Sequence, residues 1–105
     1  MSVLKTAPVI TVDSTVVCTG NQISSALEDG AVLLDLESGV YYGLNAVGFQ
    51  IWNLMKSPIR IGHLLSCLLE DYEVDPQVCE QEVLALAHSL SSEGLIQVVT
   101  APVER

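Results

Sequence analysis

Val32-Leu33-Leu34-Asp35-Leu36-Glu37-Ser38-Gly39-Val40-Tyr41-Tyr42-Gly43-Leu44-Asn45, residues 32–45, reads as a β-hairpin that runs directly into a helix N-cap. With Leu36 facing Val40, Glu37-Ser38-Gly39 form a three-residue loop in which Gly39 supplies the positive φ. Leu34 then opposes Tyr42 and Val32 opposes Leu44. Val32, Leu34, Leu36, Val40, Tyr42 and Leu44 all fall on one core-facing side. A two-residue Ser38-Gly39 loop pairs Glu37 with Val40 instead and mixes the faces. In the preferred register Asp35 and Glu37 form an exposed polar face, and Tyr41 points away from the core.

Helical signals follow the hairpin. Asn45 caps a helix over Ala46–Lys56, whose apolar stripe is Val47, Ile51, Trp52, Leu54 and Met55. Trp52 and Phe49 are expected in the core. Ser57-Pro58 stops that helix. A second helix runs from about Ile59 to Tyr72. Asp75 caps a third, with Pro76 at its first position, Val78, Val83, Leu86, Ala87 and Leu90 inside, and Gly94 as its stop. Upstream, Thr15–Thr19 reads as a first strand, Ala31–Leu36 as a second, and Gly20–Gly30 as a polar connection with a short turn at Ser24–Leu27. Val9–Val12 pairs at a sheet edge, and Leu95–Val99 is a short closing strand. The expected fold is α+β and winged-helix-like: a three-stranded antiparallel sheet followed by three helices. The division is an extended segment over 1–11, a domain over 12–99 and a tail over 100–105.

A chain of 105 residues, half of them apolar, is expected to form one domain with a core of modest margin. Its formal net charge is -9, from 13 acidic and 4 basic residues. That charge repels phosphate backbones and anionic lipid, so nucleic acid and membrane surfaces are disfavoured partners, and a basic peptide or protein fits better. The third helix carries Glu80, Gln81, Glu82, His88 and Glu93 but no Lys or Arg, unlike a DNA-reading helix. Cys18, Cys67 and Cys79 are odd in number and contain no CxxC pair, which favours a reducing cytoplasm over a disulfide scaffold. No secretory h-region or membrane-length apolar run is present.

No residue set assembles chemistry. His63 and Cys67 share a helix face, but Cys18, Cys79 and His88 are scattered, and a metal site needs three or four converging ligands. The cysteines lie in acidic surroundings that oppose thiolate formation. Phosphate-cradling glycine loops are absent, so neither cofactor nor metal is implied and no enzyme is expected. The glycine within the second hairpin strand, Gly43, marks either a bulge or close approach of another backbone. If that strand ends its sheet, its free edge is able to take up an extended peptide by strand addition.

Residues 32–52 (VLLDLESGVYYGLNAVGFQIW), Glu82–Leu90 and the ending Glu93-Gly94-Leu95-Ile96 together resemble the PqqD-like family, over roughly residues 12–99. Members are small proteins or domains that bind the leader segment of a ribosomally made precursor peptide. The resemblance implies a winged-helix-like fold in which the leader adds beside the third strand and lies against the third helix. Carried onto this chain, the implied peptide-binding residues are Val40, Tyr41, Tyr42, Gly43 and Leu44 with Glu80, Val83, Leu84 and Ala87. Stand-alone members of this size resemble the leader-recognition subunit of lasso-peptide systems, whose partner is a separate leader peptidase. In pyrroloquinoline quinone systems the partner is a radical enzyme. The alternative from another class is a small regulatory protein–protein interaction domain.

Overall fold

The computed structural model describes residues 9–99. Its elements are β1 (Thr15–Cys18), β2 (Gln22–Leu27), β3 (Gly30–Asp35), β4 (Tyr41–Asn45), α1 (Ala46–Leu54), β5 (Ile59–Arg60), α2 (Ile61–Asp71), α3 (Pro76–Ser92) and β6 (Ile96–Val99). Two three-stranded antiparallel sheets result, ordered β5-β1-β6 and β2-β3-β4, with three helices between and around them. This is an α+β architecture. The expected residues 1–8 and 100–105 of the terminal segments lie outside the described residues.

The hairpin forms as expected, but its register is one residue away. Leu33 pairs with Tyr42, Ala31 with Leu44, and Val32 with Gly43. Asp35 N–H donates to the Val40 carbonyl at 3.0 Å and Gly39 N–H to the Asp35 carbonyl at 2.7 Å, so the loop is the four residues Leu36–Gly39. Gly39 does adopt a positive φ, 76°. A one-residue slip turns every side chain of a strand to the other face. The core face of β3 is therefore Ala31, Leu33 and Asp35, whereas Leu36 is 57% exposed and Val32 and Leu34 lie on the outer side. The reason is local. The buried Asp35 carboxylate accepts from Ser38 Oγ at 2.9 Å and from Glu37 N–H at 3.4 Å, closing the loop from inside. Binary patterning alone assigned that aspartate to solvent. On β4 the expected alternation holds for Tyr42 and Leu44, which pack on the core, and for Tyr41, which is exposed, but Val40, expected on the core side, precedes the strand and is 45% exposed.

Three further expectations are corrected. Gln22–Leu27 is a full strand paired with β3 along its whole length, rather than a loop with a turn. Half of its side chains are polar and its two large apolar ones, Ile23 and Leu27, are more than half exposed, so its place in the sheet comes from pairing rather than from burial. The first strand, β1, joins β6 and a two-residue β5 (Ile59–Arg60) in the other sheet, so α2 starts at Ile61. Residues 9–12 do not pair at a sheet edge. Instead Ile10 is buried, its N–H donating to His88 Nε2 at 3.2 Å, and the Val12 carbonyl accepts from Gly62 N–H.

The helix ends follow their caps. Asn45 Oδ1 accepts from Gly48 N–H at 2.7 Å, Asp75 Oδ1 accepts from Gln77 N–H at 2.8 Å, and Gly94 ends α3 with φ 78°. The core gathers Val16 and Ile96 from one sheet, Leu33 from the other, and Ile51, Trp52, Met55, Leu64, Leu68, Val83, Ala87 and Leu90 from the helices.

Candidate peptide-binding groove

Among the described residues β4 pairs only with β3, so its other side is a free edge. Which backbone groups face that edge follows from strand alternation. The Val40 carbonyl points to β3, where it accepts from Asp35. Tyr42 and Leu44 then also point to β3, and the N–H and C=O groups of Tyr41, Gly43 and Asn45 point outward. Register runs unbroken through Gly43, so no bulge is present there, and a Cβ built on it meets nothing within 4 Å.

Alongside this edge lies a groove of about 460 Å³, within the ~300–1,000 Å³ range usual for ligand sites. β4 supplies Gly43, Leu44 and Asn45 to it. Across from them α3 presents Val78, Cys79, Glu82, Val83 and Leu86, and α1 and α2 supply Val47, Ile51, Leu68 and Tyr72. Val47, Val74 and Val78 are each more than a third exposed within it, so its apolar wall is open to solvent. Glu82 is the one charged residue of the lining.

Side-chain bonds hold the walls in place. The Tyr42 hydroxyl donates to Glu93 Oε1 at 3.0 Å, joining β4 to the end of α3. Partial burial, this bond and the charges of Glu93 and Asp35 hold the Tyr42 hydroxyl above its ordinary pKa, so it remains a donor at neutral pH. The Tyr72 hydroxyl donates to Gln50 Oε1 and Gln50 Nε2 to Asp71 Oδ2, both at 2.8 Å, tying α1 to the end of α2. Burial, with the Glu82 carboxylate beside it, pushes the Cys79 thiol up, so it behaves as a small apolar wall residue.

Of the residues singled out from sequence, Gly43, Leu44 and Val83 line this groove, Tyr42 braces it, and Tyr41 and Val40 lie on the exposed strand beside it. Glu80, Leu84 and Ala87 are not among its lining. Ala87 is fully buried, Leu84 packs on the core, and Glu80 is exposed. The α3 face toward β4 is set instead by the Val78–Glu82–Leu86 and Cys79–Val83 spacings. That stripe was readable as i, i+4 periodicity, but not which core element it would meet. Among the described residues no group of three or more His, Cys, Asp or Glu is arranged to hold a metal ion. No helix there is long and apolar enough to cross a membrane.

Two solved structures share this architecture. One, TbiB1 in complex with the TbiA(beta) leader peptide, is 27% identical, with a TM-score of 0.71 over 81% of this chain and 99% of that one. The other, lasso peptide synthetase B1 complexed with the leader peptide, is 26% identical, with a TM-score of 0.68 over 78% of this chain and 96% of that one. No curated protein matches the sequence. The match that spans the hairpin, all three helices and the start of β6, residues 30–96, is to the coenzyme PQQ synthesis protein D (PqqD) family, and the chain belongs to that family.

Proposed function

We propose that this protein is a non-catalytic recognition element. It binds the leader segment of a ribosomally synthesised precursor peptide as an added strand on β4. The observation that carries this reading is the outward-facing backbone of Tyr41, Gly43 and Asn45 directly above an apolar groove. The two similar structures support it, since each holds a leader peptide. Three outward residues offer up to about six main-chain bonds, each contributing roughly 0.5–1.5 kcal/mol net. One or two apolar side chains seated between Leu44, Val78, Val83 and Leu86 add about 1.5–3 kcal/mol each. Ordering the flexible leader offsets part of this, which leaves sub-micromolar affinity within reach.

Binding of this kind delivers a precursor to an enzyme of the same pathway. The likeness to lasso-peptide proteins favours a leader peptidase as that enzyme, in a reducing cytoplasm where the three thiols stay free. The test is titration of isotope-labelled protein with candidate leader peptides and, separately, with the core segments of the same precursors. Saturable amide shifts are expected at residues 41–45 and along the Val78–Leu86 face of α3, with leader alone. Shifts that map elsewhere, or that follow the core segment, refute the reading.

A further inference from the structure

Gly43 is the meeting point of two cavities. The second, of about 340 Å³, lies at the β2–β3 turn and is lined by Leu27, Glu28, Asp29, Gly30, Ala31, Val32, Gly43 and Leu44. Register assigns it to the outer side of the sheet, since Ser25, Val32 and Gly43 form one lateral row and Leu27, Gly30 and Asn45 the next. Of the glycines in those rows, Gly30 is packed against the Leu44 and Asn45 backbone, whereas Gly43 meets nothing within 4 Å and leaves a notch that opens at the free edge. Leu27 and Val32 give it an apolar wall, and Glu28 and Asp29 form its rim. Among the described residues the ion pair present is Arg60–Asp13, and no basic side chain lines the notch.

The geometry points to this notch as a second specificity pocket, one that takes a lysine or arginine side chain of the bound peptide. The inference rests on the strand-addition reading. Laterally paired residues of neighbouring strands share a face. The guest residues opposite Tyr42 and Leu44 therefore point into the groove against α3, and the residue opposite Gly43 points to the outer side. Where any other strand residue would block its path, Gly43 leaves the surface open, and the guest side chain lies across it toward Val32. A long aliphatic stem covers that apolar floor while its charged head reaches the Glu28–Asp29 turn. A carboxylate there meets like charge, and an alanine leaves the notch unfilled. The leader is thus read on both faces of the same added strand, by apolar fit inside and by charge outside.

The experiment is calorimetric titration with a leader peptide that gives saturable shifts in the labelled-protein titration above, or with the TbiA(beta) leader peptide where none does. Each leader position is replaced in turn by Ala, Lys and Glu, against wild type, Glu28→Lys/Asp29→Lys and Gly43→Val. The turn residues are exposed, and a Cβ at Gly43 meets no neighbour, so both variants keep the fold. One leader position is expected to favour Lys over Ala by about tenfold, from roughly one buried methylene plus a surface ion pair. At that position the Lys-over-Glu preference reverses in Glu28→Lys/Asp29→Lys. In Gly43→Val the advantage of Lys over Ala at that position disappears. The acidic chain as a whole attracts lysine at every position, so only a position-specific reversal supports the inference. Capture that persists without such a position overturns it and leaves strand addition standing. Absence of any saturable binding overturns both.

Discussion

Replacing Gly43 with proline separates the backbone edge from everything else in the groove. Gly43 N–H faces away from β3, so proline removes no bond of the existing sheet. Such a position is one of the few strand sites that tolerate it. The preceding residue, Tyr42, is already extended, as a residue before proline prefers to be. The ring occupies the line along which a guest strand must approach to about 4.8 Å. Loss of the Gly43 N–H bond, and of the Gly43 carbonyl bond that closer approach would allow, removes about 1–3 kcal/mol, or roughly 5- to 150-fold in Kd. Leader affinity is read by calorimetry, and fold by circular dichroism and thermal melting. Leu44→Pro is the control, because the Leu44 N–H faces β3 and its loss disrupts the ladder itself. The expected result is a folded Gly43→Pro protein that has lost capture beside an unfolded or strongly destabilised Leu44→Pro protein. A folded Gly43→Pro variant with unchanged affinity would refute strand addition on β4.

Further outcomes follow from the packing. Leu33→Ala is expected to cost about 2–5 kcal/mol in denaturant unfolding, since Leu33 is fully buried, whereas Leu36→Ala costs under about 0.5. Equal costs would contradict the observed register. Asp75→Ala removes the acceptor for Gln77 and Val78 N–H and should lower stability by about 1 kcal/mol. The same titration curves measure it, and no loss would mean the cap contributes nothing. Burial outweighs the nearby Lys56 and raises the Cys18 thiol to about 11 from 9.0. The unfolded chain then loses its proton first, so stability is intact below pH 9 and falls as pH rises toward 11. After discounting for solvent screening at this half-buried site, the fall is about 1 kcal/mol. The pH dependence of unfolding for Cys18→Ala should lack that increment, and identical profiles would count against it.

The helices were legible because caps and stops are local: Asn45, Asp75-Pro76 and Gly94 each act within a turn of their own position. The hairpin was legible as a hairpin, for Gly39 and the alternating β4. Its register was not. The pattern rule counts Asp35 as polar and outward, while the fold uses that carboxylate inside, as the acceptor that closes the loop. β2 reads as a loop because Ile23 and Leu27 flank a serine on a solvent-exposed face, and its other face is Gln22, Ser24 and Ala26. Its structure is imposed by β3, and pairing leaves no periodic trace in the paired sequence. The strand half of the groove followed directly from β4. The α3 half did not, because Ala87 and Leu84 are as apolar as Val78 and Leu86, and only the packing angle decides which pair faces the sheet edge. At Gly43 the sequence allows either a bulge or close approach of another backbone, and the unbroken register excludes the bulge. That Gly43 also joins two cavities depends on the β2–β3 turn, which carries no strand signal in the sequence.

The pairing of β1 with β6 sets Thr15 beside Val99. The chain thus enters this sheet at Thr15 and leaves it at Val99 one strand spacing apart, in the sheet that does not carry the free edge. A domain with adjoining ends can be spliced into a surface loop of another protein with little strain on its host. The β4 edge belongs to the other sheet and would stay open in such a fusion.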